Sequence, residues 1–403
     1  MKFSKLSQLF LVSSIGLLVA TLFSACQLVT IDYVFLATSG GSTACPGGQL
    51  ETYAVDSESG AIRSSSAAVC SGGTTPVTLA VSPAYTDLYV GNQADMSVVH
   101  FAVSPSGVLS SKDTVHLSAP PVSLAVSSTG DALYVVSGAT SATLTEYALS
   151  SGTIGSVTAQ EILTIPGYPT DSIVPTSITT LANGGAVYVT AYDASAYNPG
   201  GSTTSTANPG WLFGFSSGTG GALTATSGSP YKAGVKPSGL VADPTSRFVY
   251  VTDFAQDQLI GYGVYTGYAL EFLVNGPYKA GSEPSGVVID PRGKFIYVSN
   301  LLSSSVTAYV IDLTTGTPST AVNPTGSQTN ITDTEPVAVA VDPALGRFVY
   351  TANYLGNSIS GFRLNPTAGT LVPTQATPYP TGQKPTALVI VPHGNHSLQT
   401  TAP

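Results

Sequence analysis

The side chains in this sequence best suited to chemistry recur at one point of a repeated pattern, where a carboxylate or carboxamide closes a short run built on Tyr-Val. Asn92 follows Leu88-Tyr89-Val90-Gly91, and Asp253 follows Val249-Tyr250-Val251-Thr252. Asn300 and Asn353 close the runs Ile296–Ser299 and Val349–Ala352, and Asp193 stands just beyond Val187-Tyr188-Val189-Thr190. Gathered round one opening, these groups would form a polar ring able to hold a small ligand. Asp193 and Asp253 would add two carboxylates. Opening an ester or lactone with water needs a base and donors for the developing oxyanion. Asp253 is the candidate base, with no partner assignable. Asn and Asp at strand ends also bond their own turn backbone, so a purely structural role stays open. Calcium would need more oxygen ligands than the pattern supplies. Neither a metal nor a cofactor is expected.

These residues are positioned by a repeat. Further copies of the Tyr-Val run occur at Leu133-Tyr134-Val135-Val136-Ser137 and, more weakly, at Phe35-Leu36-Ala37-Thr38, which makes seven. Upstream of each lies a Pro and a short apolar strand, as in Pro237–Ala242 before Asp243-Pro244. Downstream comes an alternating strand such as Ser97–Val103, then a Gly turn and a weaker fourth strand. Four short strands per unit, punctuated by Asp-Pro and Gly turns, are the blade of a β-propeller. The last unit is followed by one more inner-strand copy, Thr386–Pro392, and the first unit, from Ile31, lacks that strand. The expected fold is therefore an all-β, seven-bladed β-propeller closed by the C-terminal strand joining the N-terminal blade. It spans 31–392, with a polar tail at 393–403.

The repeat resembles the YVTN propeller repeat, and the blade order is similar to the lactonase-type propellers related to 6-phosphogluconolactonase. That resemblance covers nearly the whole mature chain and carries fold more than activity, because the shared residues are strand and turn positions. It implies a catalytic mouth with His, Glu and Arg. No matching His motif occurs: His100 and His116 fall in outer strands of blade two, and His393 and His396 fall in the tail. Thr252–Ile260 looks like the relatives' Asp-Leu-Gly-x-Asp turn, which a turn alone explains. The nucleophile elbow Gly-x-Ser-x-Gly and the His-Glu-x-x-His zinc motif are both absent. The acids of Asp243-Pro244, Asp290-Pro291 and Asp342-Pro343 belong to turns on the face opposite the mouth. Arg247, Lys294 and Arg347 are their solvated neighbours.

Two insertions lie on the mouth face. Ala191–Gly210 in blade four carries Tyr192, Asp193, Tyr197 and Asn198 and runs into Trp211, which is expected to pack in the following strand. Gln160–Pro175, leading out of blade three, carries Tyr168 and Asp171. Loops of this length are usually functional or disordered. Aromatic and small polar residues on one rim suit a carbohydrate, small-molecule or protein ligand.

The N-terminus reads as an export signal, with Lys2 and Lys5 before the apolar stretch Leu9–Phe23. The end, Leu22-Phe23-Ser24-Ala25-Cys26, resembles the bacterial lipobox, although Phe23 stands where that motif prefers Leu. The resemblance implies cleavage after residue 25, lipid on Cys26, a tether over 26–30 and, with Gln27 next, the outer membrane. The other two cysteines, Cys45 and Cys70, make an even pair in an exported chain, and a disulfide is expected between them. Charged residues are 9% of the chain and the net charge is −9, which becomes −11 once the two leader lysines are gone. There is no basic patch, so nucleic acid is not an expected partner. A monomer is expected. The first reading of function is a membrane-tethered binding module working through the rim of blades three and four. The alternative is a lactonase-like hydrolase.

Overall fold

A computed structural model describes residues 29–167, 170–197, 209–217, 222–322 and 329–394. They form seven antiparallel sheets, each a blade with strands a to d running outward from a central channel. In blade five these are Pro237–Ala242, Phe248–Asp253, Gln258–Val264 and an outer strand in two pieces, Leu270–Phe272 and Tyr278–Lys279. Blade one takes its inner strand, Pro385–Pro392, from the end of the chain and pairs it with Thr30–Thr38 in a register that sets Leu388 opposite Leu36. The ring closes at seven by that strand, as the sequence implies. The sole helix among the described residues is a single 3-10 turn, Thr266–Tyr268, and no helix there is long and apolar enough to cross a membrane. Cys45 and Cys70 are disulfide-bonded across blade one.

Apolar faces of neighbouring blades pack against each other, and the Tyr of the Tyr-Val run lies in that seam. In five blades its hydroxyl donates to the carbonyl of the c–d turn on the next blade. Tyr89 reaches Gly152 at 2.7 Å, Tyr188 reaches Tyr268 at 2.7 Å, and Tyr250 reaches Gly316 at 2.6 Å. Tyr297 reaches Gly369 at 2.9 Å, and Tyr350 reaches Gly60 at 2.7 Å. This bond explains why the repeat uses Tyr rather than Phe. The turn glycines have two duties. Gly316 sits at φ +74°, and a Cβ there would lie 2.3 Å from the Phe248 ring. Tyr297→Phe should lower stability by about 1–3 kcal/mol, because the buried Gly369 carbonyl loses its partner. An unchanged denaturation midpoint would show that the bond contributes nothing.

One buried acid escaped the sequence reading. Asp32, at the start of strand b in blade one, faces Asp342 of blade seven. Burial, together with the nearby charge of Asp342, raises the Asp32 pKa to about 9. Asp342 already accepts four backbone N–H groups, from Leu345, Gly346, Arg347 and Phe348. It holds its turn as expected, and Asp243 and Asp290 do likewise.

Candidate functional site

Seven inner strands line a channel of about 300 Å³. Six begin with Pro, and in blade four Pro175 is the third residue; in each a bulge follows the Pro, as at Pro284/Gly286 and Pro336/Ala338. The bulged residues Ser238, Ser285 and Thr386 donate to the carbonyls of Pro284, Pro336 and Pro76 on the next blade at 2.5, 2.6 and 2.7 Å. Gly239 permits the tight fit, since a Cβ there would stand 3.2 Å from the Gly286 Cα. The lining is Ser, Thr, Gly, Ala, Val and Leu, with no charged side chain. Chemistry belongs at the mouth.

The strand-end residues do reach the mouth face, but they turn inward. Asn92, Asp253, Asn300 and Asn353 are fully buried, and Asp193 nearly so. Asp253 accepts the N–H groups of Val235 and Lys236 at 2.8 and 2.9 Å, that of Ala255 at 3.2 Å, and the Gln258 amide at 3.1 Å. Both of its oxygens are engaged, so it is not the base that its position in the sequence suggested. Asn300 accepts from Gly281 N–H at 3.0 Å, and the Asn353 amide donates to Ser358 and Ser360. Asn92 donates at 3.4 Å to Ser71 and Ser97. Instead of forming an exposed ring, Asn92, Asp253 and Asn300 fasten the loop leading to strand a onto the end of strand b, and Asn353 ties strand b to strand c. Asp193 caps its own turn through Ser195 and Ala196. Asp171 meets Asp193, and partial desolvation plus that neighbour raises the Asp171 pKa.

Beside these side chains, a backbone bond holds in place the residue just before the inner-strand Pro in six of the blades. Its carbonyl accepts the first N–H after strand b: Lys236 from Phe254, Glu283 from Leu301, Glu335 from Tyr354 and Lys384 from Ser39, at 2.8–3.0 Å. Thr75 and Pro120 take this position in blades two and three. On four consecutive blades, five, six, seven and one, the mouth therefore carries Lys236, Glu283, Glu335 and Lys384. Glu283, Glu335 and Lys384 hold φ of 54°, 58° and 56°, a sparsely populated region for such residues and one that clusters at functional sites. None of the four is in an ion pair among the described residues. The signal was in the sequence, as a charged residue preceding the repeat's Pro.

The blade-four insertion supplies a wall to this arc. Tyr192 and Tyr197 meet edge to face at 5.3 Å, and the Lys236 ammonium lies 5.8, 5.4 and 4.6 Å from the rings of Tyr192, Tyr197 and Phe254. Burial, Tyr192 and the charges of Asp253 and Glu283 raise the Tyr197 pKa, which puts Glu283 within electrostatic reach of that wall. Strand b of blade four runs three residues further than the sequence suggested, with Ile173 opposite Asp193, so the insertion begins at Ala194. Likewise strand d of blade three runs to Ile162, which shortens the second insertion. Tyr168 and Asn198 lie outside the described residues, as does Cys26. Trp211 packs in strand c, with the Lys232 ammonium 3.5 Å from its ring centroid.

His100 has partners suited to catalysis in the wrong place. Its ring nitrogens lie 2.8 Å from Asp87 and 2.6 Å from Asp113, but it is buried in blade two and stacked on Tyr89. Asp113 also accepts Ile154 N–H of blade three, so this trio ties two blades together away from the mouth. Among the described residues no group of three or more His, Cys, Asp or Glu is arranged to hold a metal.

Comparison with known proteins bears on both fold and chemistry. No curated protein matches the sequence. The fold is shared with the periplasmic gluconolactonase of Pseudomonas aeruginosa, at 17% identity over 90% of this chain and 99% of that one, with a TM-score of 0.73. A candidate 6-phosphogluconolactonase of Bacteroides fragilis gives 18% identity over 90% and 98%, with a TM-score of 0.71. Hydrazine synthase of Kuenenia stuttgartiensis gives 16% over 81% and 94%, TM-score 0.57, so the architecture alone does not name a reaction. The sequence itself matches the family described as lactonase, 7-bladed beta-propeller, over residues 37–172 and 105–398, and the chain belongs to that family.

Proposed function

We propose that this protein is an exported hydrolase of a lactone or sugar-derived ester, acting at the channel mouth over blades five to seven and one. Family membership favours this over the binding module expected first. The observation that carries it is the arc Lys236–Glu283–Glu335–Lys384, each held by a backbone bond to the first residue after strand b. In this reading the Glu283 carboxylate takes a proton from water as the water oxygen bonds to the lactone carbonyl carbon. The Lys236 ammonium stabilises the oxyanion, with Asp253 fixing its backbone. When the intermediate collapses, the ring C–O bond breaks. Glu283 then returns the proton to the leaving alkoxide, giving a hydroxy acid. Tyr192 and Tyr197 wall the substrate from one side.

Acid release from glucono-δ-lactone, followed by pH-stat, tests this. Glu283→Gln should lower kcat by about 100-fold or more, with an unchanged melting point. A purified protein inert towards aldonolactones, or a Glu283→Gln, Glu335→Gln double variant at full rate, would overturn it.

Export and lipid attachment at Cys26 belong to the same proposal. The fold shared with a periplasmic protein supports export. Cys26→Ala should move the protein from the membrane fraction to the soluble exported fraction, and continued membrane retention would exclude the anchor.

A further inference from the structure

Blade five has an outer wall unlike its siblings. The turn that splits strand d recurs in blades four, five and seven with the same internal bond: Tyr231 to Ser227 O at 2.6 Å, Tyr278 to Val274 O at 2.7 Å, and Tyr379 to Gln375 O at 2.7 Å. In blades four and seven the turn residues are Ala225-Thr226-Ser227 and Pro373-Thr374-Gln375. Thr226 and Thr374 there bond the Tyr hydroxyl at 2.8 Å. Blade five has Phe272-Leu273-Val274 instead, with Phe272 59% and Val274 66% exposed. The siblings form the same turn with polar residues, so the fold does not demand this apolar surface.

The Phe272 ring is fixed from behind, stacked on Tyr262 at 5.0 Å with 29° between planes, and its outer surface is left free. Two grooves flank it and share Phe272 and Leu273 as a common wall. One, of about 410 Å³ towards blade four, contains Lys232 and Gln256. The other, of about 400 Å³ towards blade six, contains Arg247, Thr314 and Thr315. Lys279 is exposed on the same strand d, with Glu271 as the opposing charge. A cation in each groove is notable in a chain with 13 Lys and Arg against 22 Asp and Glu.

From this arrangement we infer a binding site for an acidic oligosaccharide, crossing blade five from one groove to the other with a sugar ring stacked on Phe272. A preordered aromatic face accepts the C–H face of a pyranose without side-chain ordering cost. Amide and hydroxyl groups in the grooves suit ring hydroxyls, and Lys232 and Arg247 suit uronate carboxylates. The site lies over the outer strands of blade five, reaches the mouth face only at Gly234, Gln256 and Gln258, and does not rest on the hydrolase reading.

Titration calorimetry with an oligogalacturonate, and with the same oligomer fully methyl-esterified, tests it on the whole exported protein. The acid form should bind, more weakly at high salt, and the ester should bind several-fold less well. Phe272→Ala should weaken binding about tenfold. Arg247→Gln should reduce the preference for the acid form while the melting point of both variants stays near that of the parent. No heat with either oligomer, or unchanged affinity in Phe272→Ala, would overturn the site. Equal affinity for acid and ester would overturn the acidic assignment.

Discussion

A chain ending at Pro385 should fail to accumulate as folded protein, whereas one ending at Pro392 should melt close to the full-length chain. The first lacks the inner strand of blade one. It loses Leu388, Ile390 and Val391 from the core, the ladder to Thr30–Thr38, and the Thr386 bond to Pro76 across the seam to blade two. Three buried aliphatic side chains alone represent about 5–9 kcal/mol of apolar burial, comparable with the whole stability of many domains. Two sheet edges would also open, inviting aggregation. The second truncation removes, among the described residues, the bond from His393 N–H to Ile31 O and the His393 contact with Tyr33, and no core strand. Soluble yield and melting of the two proteins decide the matter, and equal behaviour would mean the ring holds without its closing strand.

Replacing Asp32 with Asn should stabilise the protein, by more the higher the pH. The folded pKa of about 9 lies above the ordinary value of 3.8, so the native state keeps a proton that the unfolded chain gives up. Asp32 therefore lowers stability by about 1.4 kcal/mol per pH unit between those two values, with its contribution intact only below about pH 4. Near pH 7 the accumulated penalty is about 4 kcal/mol. An Asn of the same shape has no proton to lose. Denaturant midpoints of the two proteins should coincide near pH 4 and separate by pH 8. A constant gap across that range would show that Asp32 does not titrate as its burial implies.

The sequence made the ring legible because the Tyr-Val run, the inner-strand Pro and the Asp-Pro turn recur at fixed spacing. The duplicate of the inner strand at Thr386–Pro392 disclosed closure. It was less informative about the mouth. Asp253 and Lys236 sit on neighbouring strand ends, with Pro237 paired to Asp253. Residue type drew attention to the carboxylate and away from the residue that it holds. Which of two adjacent polar groups faces solvent depends on hydrogen bonds that repeat spacing does not encode. Asp32 was beyond reach altogether, since its environment comes from a residue some three hundred positions away in blade seven. The apolar wall of blade five could have been seen by aligning the repeats with each other, because Phe272 then stands against Ala225 and Pro373.

The five tyrosine hydroxyl bonds, from blades two, four, five, six and seven, all point the same way round the ring, and blade seven reaches blade one through Tyr350 as blade six reaches seven through Tyr297. The seam between blade seven and blade one is thus chemically of the same kind as the four others that carry this bond. Cooperativity in such a ring has no head or tail. Loosening one blade withdraws support from the one behind it, and a circularly permuted chain cut in another d–a loop would face the same set of contacts.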